Sequence, residues 1–189
     1  MIRIGILGDI GSGKTYVANN FGYPVFNADK EVSKLYKKDR KIFKKLKKKL
    51  PKYISKFPID KNEITNAILD NKVNLNKIIS VVHIEIKKLL KLFLKKNKYK
   101  KIIILDVPLL LESKINKQKD ILVFVDSKRK EIEKRLKKRS NFNRKLINKF
   151  KKIQYSPAYK KKKSNFIIKN NFKKKTLNMS INKILNKIY

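Results

Sequence analysis

An apolar run, Ile2 to Leu7, leads directly into Gly8-Asp9-Ile10-Gly11-Ser12-Gly13-Lys14-Thr15. No other stretch constrains the fold as tightly. The run is strand-sized and ends in a glycine-rich turn, and Lys14 to Phe21 then reads as a helix. The chain has five glycines; Gly8, Gly11 and Gly13 lie in this loop, and Gly5 lies just upstream. Every fixed position of G-x-x-x-x-G-K-[ST] is filled, between a strand and a helix as that pattern requires. Backbone N–H groups must converge on a polyphosphate there. Side chains would obstruct the approach, and some positions need φ values that only glycine adopts at low cost. The helix beginning near Lys14 directs its positive end at the phosphates. Lys14 adds a point charge for the β- and γ-phosphates, and Thr15 offers a hydroxyl to Mg²⁺. Gly8, Asp9, Ile10, Gly11, Ser12, Gly13, Lys14 and Thr15 are therefore the expected ATP-binding residues. The competing reading, an ordinary glycine-rich strand–helix turn, has the complete pattern against it.

The rest of the chain repeats the strand–helix alternation. Short apolar strands are predicted at Pro24–Phe26, Ile102–Asp106, Asp120–Asp126 and within "NFIIKNN". Helical spacing marks Lys30–Leu50, Asn74–Leu94, Lys128–Lys138, Lys145–Ile153 and a C-terminal stretch around Leu177, Ile181, Ile184 and Ile188. Strands that are continuous apolar runs predict a parallel sheet buried on both faces. The expected fold is α/β: three layers with a mainly parallel five-stranded sheet. One domain is expected over residues 1–189. Its core covers about 1–30, 99–138 and 166–189, with a helical acceptor-binding insertion at about 31–98 and a lid at about 139–165.

Composition sets the remaining bounds. There is no cysteine, which excludes disulfides and thiolate metal sites. The apolar runs are shorter than the ~20 residues of a membrane span, and the first residues do not form a signal segment. A cytoplasmic location without a membrane partner is expected. Lysine and arginine total 52 against 14 acidic residues, a net charge of +38. Lysine supplies nearly all of it, spread over many segments, in a chain also rich in Asn, Ile, Phe and Tyr. These are the residues that A/T-rich codons encode. The charge is therefore read as composition rather than as a specific nucleic-acid site, with general attraction for polyanions as its consequence.

Several side chains are candidates for the acceptor side. Asp29 lies beyond the second strand, at the carboxyl edge where such sheets bind ligands. It reads equally as a carboxylate that orients an attacking hydroxyl, holding Mg²⁺ through water, and as a helix N-cap. Asp106 ends the third strand, as a carboxylate near the metal or as a turn residue before Pro108. Arg135 and Arg139 lie four apart on a predicted helix. Arginine's planar fork grips phosphate in a way that lysine does not, and Arg139 borders the polar break "SNFN". A solvated helix face is the alternative. His83, the single histidine, shows no partner in the sequence that would make it a metal ligand.

Taken together, these segments resemble the dephospho-coenzyme A kinase family over nearly the whole chain. "GDIGSGKT", "VFNAD", "VVHIEI", "LDVPLLLES", "EIEKRLKKRSNFN" and "KKIQ" followed by "SNFIIKNN" stand in the family's order and spacing. "LDVPLLLES" is the most diagnostic of them. The resemblance implies ATP-dependent phosphorylation of the ribose 3′-hydroxyl of dephospho-coenzyme A, with Mg²⁺ as cofactor. It implies that Asp29 acts on that hydroxyl, that Lys14, Thr15 and the lid residue Arg139 serve the phosphates, and that Asn170 lies near the nucleotide. His83, Asp106, Pro108, Leu109, Leu110 and Glu112 would serve the acceptor. A monomer or weak oligomer is expected. The chain departs from the family pattern at Asn27, Ile84, Leu111, Asn165 and Phe172, the last replacing a glycine. Two other readings compete. One is a shikimate or nucleoside monophosphate kinase, against which the absence of glycine after Gly22 counts strongly. The other is a basic nucleic-acid-binding protein with a vestigial loop.

Overall fold

A computed structural model describes residues 1–140 and 142–188; Asn141 of the polar break and Tyr189 lie outside the described residues. The chain separates into two compact units. The first comprises Met1–Asn27, Asn97–Phe142 and Gln154–Tyr189, and the second Ala28–Lys96 and Asn143–Ile153.

The first unit is built on β1 (Ile2–Gly8), β2 (Val25–Asn27), β3 (Ile102–Asp106), β4 (Ile121–Asp126) and β5 (Phe166–Lys169), in the order β2-β3-β1-β4-β5. All the pairings are parallel. Alternation along each strand puts Ile4, Ile6, Ile102, Ile104, Val123, Val125 and Ile168 on one face. Val17 and Ala18 of α1 (Lys14–Asn20), Phe21, and Leu177, Ile181 and Ile184 of α9 (Lys174–Ile188) close over them. The other face carries Gly5, where any side chain would force its neighbours to move: Leu110 Cδ2 lies 2.5 Å from the position a Cβ would take. Beyond Leu110, α8 (Pro157–Lys162) packs against β1 on this unit. The sheet is thus fully parallel and covered on both faces, as the continuous apolar strands predict. Chain order reverses on either side of β1, between β3 and β4. The carboxyl ends of these strands form the topological switch point at which open α/β sheets bind ligands.

The second unit is helical: α2 (Ala28–Lys38), α3 (Arg40–Lys49), α4 (Lys61–Asp70), α5 (Lys72–Lys96) and α7 (Arg144–Lys152). Ile42, Leu46, Ile54 and Leu75 are completely buried among them. Polar contacts tie the helices together. Lys45 pairs with Glu85 at 3.2 Å, Asn74 Nδ2 donates to Ala67 O at 2.9 Å, and Lys149 Nζ donates to Leu69 O at 2.8 Å.

Several boundaries differ from the sequence expectation. The single helix predicted over Lys30–Leu50 is two, because Asp39 adopts an extended backbone and caps α3, its Oδ1 accepting from the N–H groups of Lys41 and Ile42. The expected strand at Pro24–Phe26 is shifted by one, to Val25–Asn27. Helix α6 (Arg129–Lys137) stops before Arg139, whose N–H bonds Leu136 O in a tight turn. Arg139 therefore sits in the turn beyond the helix that carries Arg135. Among the described residues no helix is long and apolar enough to cross a membrane.

Candidate active site

The loop after β1 is held from below by its own polar groups. Asp9 O accepts from the Ser12 N–H at 3.2 Å and from Lys14 Nζ at 2.8 Å, and Asp9 Oδ1 accepts from the Ile10 N–H at 2.7 Å. Lys14 thus folds back along the loop, with Gly8 O also 3.4 Å from Nζ. Ser12 is buried, and its carbonyl accepts from Ser127 Oγ and Asn170 Nδ2, each at 2.9 Å. Its hydroxyl is buried with no hydrogen-bond partner among the described residues. Gly11 and Gly13 have φ of 88° and 90°, a region that L side chains rarely adopt.

Directly beyond this loop, Thr15 Oγ1 donates to Asp106 Oδ2 at 2.6 Å. The same oxygen accepts from Asn27 Nδ2. The register explains the meeting, since Asn27 and Asp106 are paired ends of β2 and β3. Asp106 is buried, and two polar neighbours compensate its burial. A hydroxyl and a carboxylate oxygen side by side are hard oxygen donors of the kind Mg²⁺ takes. That ion is commonly held by one or two protein groups plus substrate phosphates rather than by a full protein cage. No cluster of three or more His, Cys, Asp or Glu occurs among the described residues.

The segment after β3 is fixed to the first unit at two points. Leu110 is completely buried against Gly5, so its side chain supports the turn. Glu112 Oε1 accepts from the Tyr155 N–H at 2.8 Å and pairs with Lys160 Nζ at 3.0 Å. Lys160, 2% exposed, also donates to Gln154 Oε1 at 2.9 Å. Pro108 and Leu109, between β3 and these anchors, are half-buried. Lys160 has no sequence signal, since it stands within a run of lysines. Its burial alone marks it.

In the second unit, Asp29 is exposed in the first turn of α2, separated from Asn27 by Ala28 alone. His83 is half-buried on α5, its Nε2 without a hydrogen-bond partner among the described residues. Burial lowers its pKa, and the neighbouring Lys87 charge lowers it further.

Known proteins resemble this chain in sequence and fold. A family model described as Dephospho-CoA kinase matches residues 2–175. A dephospho-CoA kinase of Wolbachia pipientis wMel is 36% identical over 170 residues, covering 87% of each chain. That of Rickettsia bellii is 33% identical over 189 residues, covering 98% of this chain and 96% of the relative. Among solved structures, a Thermus thermophilus protein, TT1252, superposes with a TM-score of 0.80 at 24% identity, covering 100% of this chain and 98% of the other. A dephospho-CoA kinase from Campylobacter jejuni gives 0.60 at 21%, covering 98% and 96%. At these identities the superpositions speak for the fold, and the family match and the curated relatives identify the lineage: the chain belongs to the dephospho-CoA kinase family.

Proposed function

We infer that this chain transfers the terminal phosphoryl group of ATP to the ribose 3′-hydroxyl of dephospho-coenzyme A, giving coenzyme A and ADP in coenzyme A biosynthesis. One observation carries the site assignment. Lys14, Thr15 and Asp106 are gathered at the carboxyl end of β1 and β3 in a chain of this family.

Residues Gly8 to Thr15 wrap the triphosphate, with Lys14 leaving its contacts to Asp9 O and Gly8 O for phosphate oxygens. The buried Ser12 and Asn170 hold the loop rigid around it. Thr15 and Asp106 would hold Mg²⁺, which when bound screens phosphate charge. Asp29, exposed at the start of α2, orients the acceptor hydroxyl and takes its proton as the bond to phosphorus forms. Arg139 supplies a bidentate grip on phosphate oxygens from the lid. The second unit serves as the acceptor-binding insertion, with α7 as part of the lid and His83 Nε2 offered to the acceptor. Pro108 and Leu109 supply acceptor contacts, while Leu110 and Glu112 hold that segment in place. The enzyme works in the cytoplasm as a monomer or weak oligomer without a specific nucleic-acid partner.

Asp29→Asn tests the central role. ATP binding, read by calorimetry, should stay within about twofold, because Asp29 serves the acceptor. Turnover should fall by roughly 10²–10⁴-fold, the range that a positioned general base supplies. Near-normal turnover would remove Asp29 from the chemistry.

A further inference from the structure

The loop is packed as tightly on its outer side as it is shaped on its inner side. A Cβ on Gly11 would lie 2.9 Å from Leu136 Cγ and 3.1 Å from Ile132 Cγ2, both on α6. A Cβ on Gly13 would lie 2.6 Å from Asn170 Nδ2 and 2.8 Å from Phe172 Cε1. Phe172 sits at φ 63°, a left-handed conformation that is unusual for a bulky residue. Its N–H donates to Asn170 Oδ1 at 3.0 Å, and Asn170 Nδ2 in turn donates to Ser12 O. The Arg135 guanidinium carbon stands 3.9 Å from the Phe172 ring centroid, within cation–π range.

A disfavoured backbone persists only where its surroundings over-determine it. Here the surroundings are Gly13 beneath the ring, Asn170 on its N–H and Arg135 against its face. We propose that Phe172, clamped by Arg135, is a positioning residue that braces the Gly11–Gly13 backbone in its anion-binding form. The ring edge rests on Gly13, while Asn170 fixes Ser12 from the same segment. α6 contributes twice, through Leu136 on Gly11 and Arg135 on Phe172. The proposal rests on Gly8–Thr15 being the triphosphate site.

A brace acts on the phosphates and a base-stacking platform acts on the adenine, so a ligand without a base separates them. The test measures ATP binding and competitive binding of inorganic tripolyphosphate for the wild-type chain and for Phe172→Gly, Phe172→Tyr and Arg135→Ala, with melting temperatures and steady-state kinetics. Glycine accepts the left-handed backbone, so Phe172→Gly should melt no lower than wild type. It should nevertheless bind ATP and tripolyphosphate each about tenfold more weakly, equivalent to about 1.4 kcal/mol. KM for ATP should rise by the same factor while KM for the acceptor stays put, and Phe172→Tyr should retain wild-type values. Arg135→Ala should weaken both ligands in the same direction, and adding it to Phe172→Gly should cost little more. If Phe172→Gly proves unstable, Phe172→Asn, which also tolerates the left-handed backbone, takes its place. Weakened ATP binding with unchanged tripolyphosphate binding would overturn the brace in favour of base stacking, and no change in either would overturn it outright. Failure of tripolyphosphate to compete with ATP on the wild-type chain would instead remove the loop assignment beneath it.

Discussion

Gly13 shows how much one residue can be asked to do. Its φ of 90° excludes most side chains, and Asn170 and Phe172 occupy the space a Cβ would fill. The sequence pattern accounts for the first requirement through the approach of phosphate to backbone. The second was out of reach, because it depends on residues more than 150 positions away in the chain. Phe172 was visible only as a departure from the family pattern. Its meaning came with its backbone angle and with Arg135. His83 offers a clean probe at this scale, being the chain's only histidine. Burial, then the Lys87 charge, favours its neutral form in the folded state. Its folded pKa therefore lies below the ordinary 6.5. The stability it contributes is present above that value and is lost as pH falls toward the lowered one. An NMR titration should find a midpoint below 6.5, moving upward in Lys87→Gln; a midpoint at or above 6.5 would contradict the burial argument.

At the scale of elements, the segment after β3 is held by a buried pair rather than by hydrophobic contact alone. Lys160 of α8 and Glu112 are 2% and 11% exposed. Removing one partner strands the other charge, whereas removing both leaves neither exposed to that penalty. Lys160→Met should destabilise the fold by about 3–5 kcal/mol in urea unfolding. Lys160→Met combined with Glu112→Gln should recover at least about 1 kcal/mol of that loss. Simple addition of the two single effects would show the pair to be uncoupled. The elements themselves were mostly legible. β3 and β4 are apolar up to their terminal aspartates, β1 is apolar apart from Arg3, and α5 repeats its apolar residues at threes and fours. The break between α2 and α3 was not, because lysine-rich helical spacing continues straight through it and only the cap formed by Asp39 ends the first helix. Helix α8 escaped for a similar reason: its one buried lysine looks like its exposed neighbours.

For the whole molecule, strand–helix alternation carried the fold and one loop carried the donor. The acceptor is harder to read, because related folds serve different acceptors. Fold alone thus leaves the substrate open, and function must come from the site. The net charge of +38 adds attraction for any polyanion without selecting one. Family membership is what points to dephospho-coenzyme A as the acceptor. The most direct measurement offers dephospho-coenzyme A, shikimate and nucleoside monophosphates separately to the purified chain with ATP and Mg²⁺, and follows ADP release. Rapid release with dephospho-coenzyme A alone, abolished in Lys14→Ala, is the predicted result. Release driven by shikimate or a nucleoside monophosphate, or none above background with dephospho-coenzyme A, would contradict the assignment.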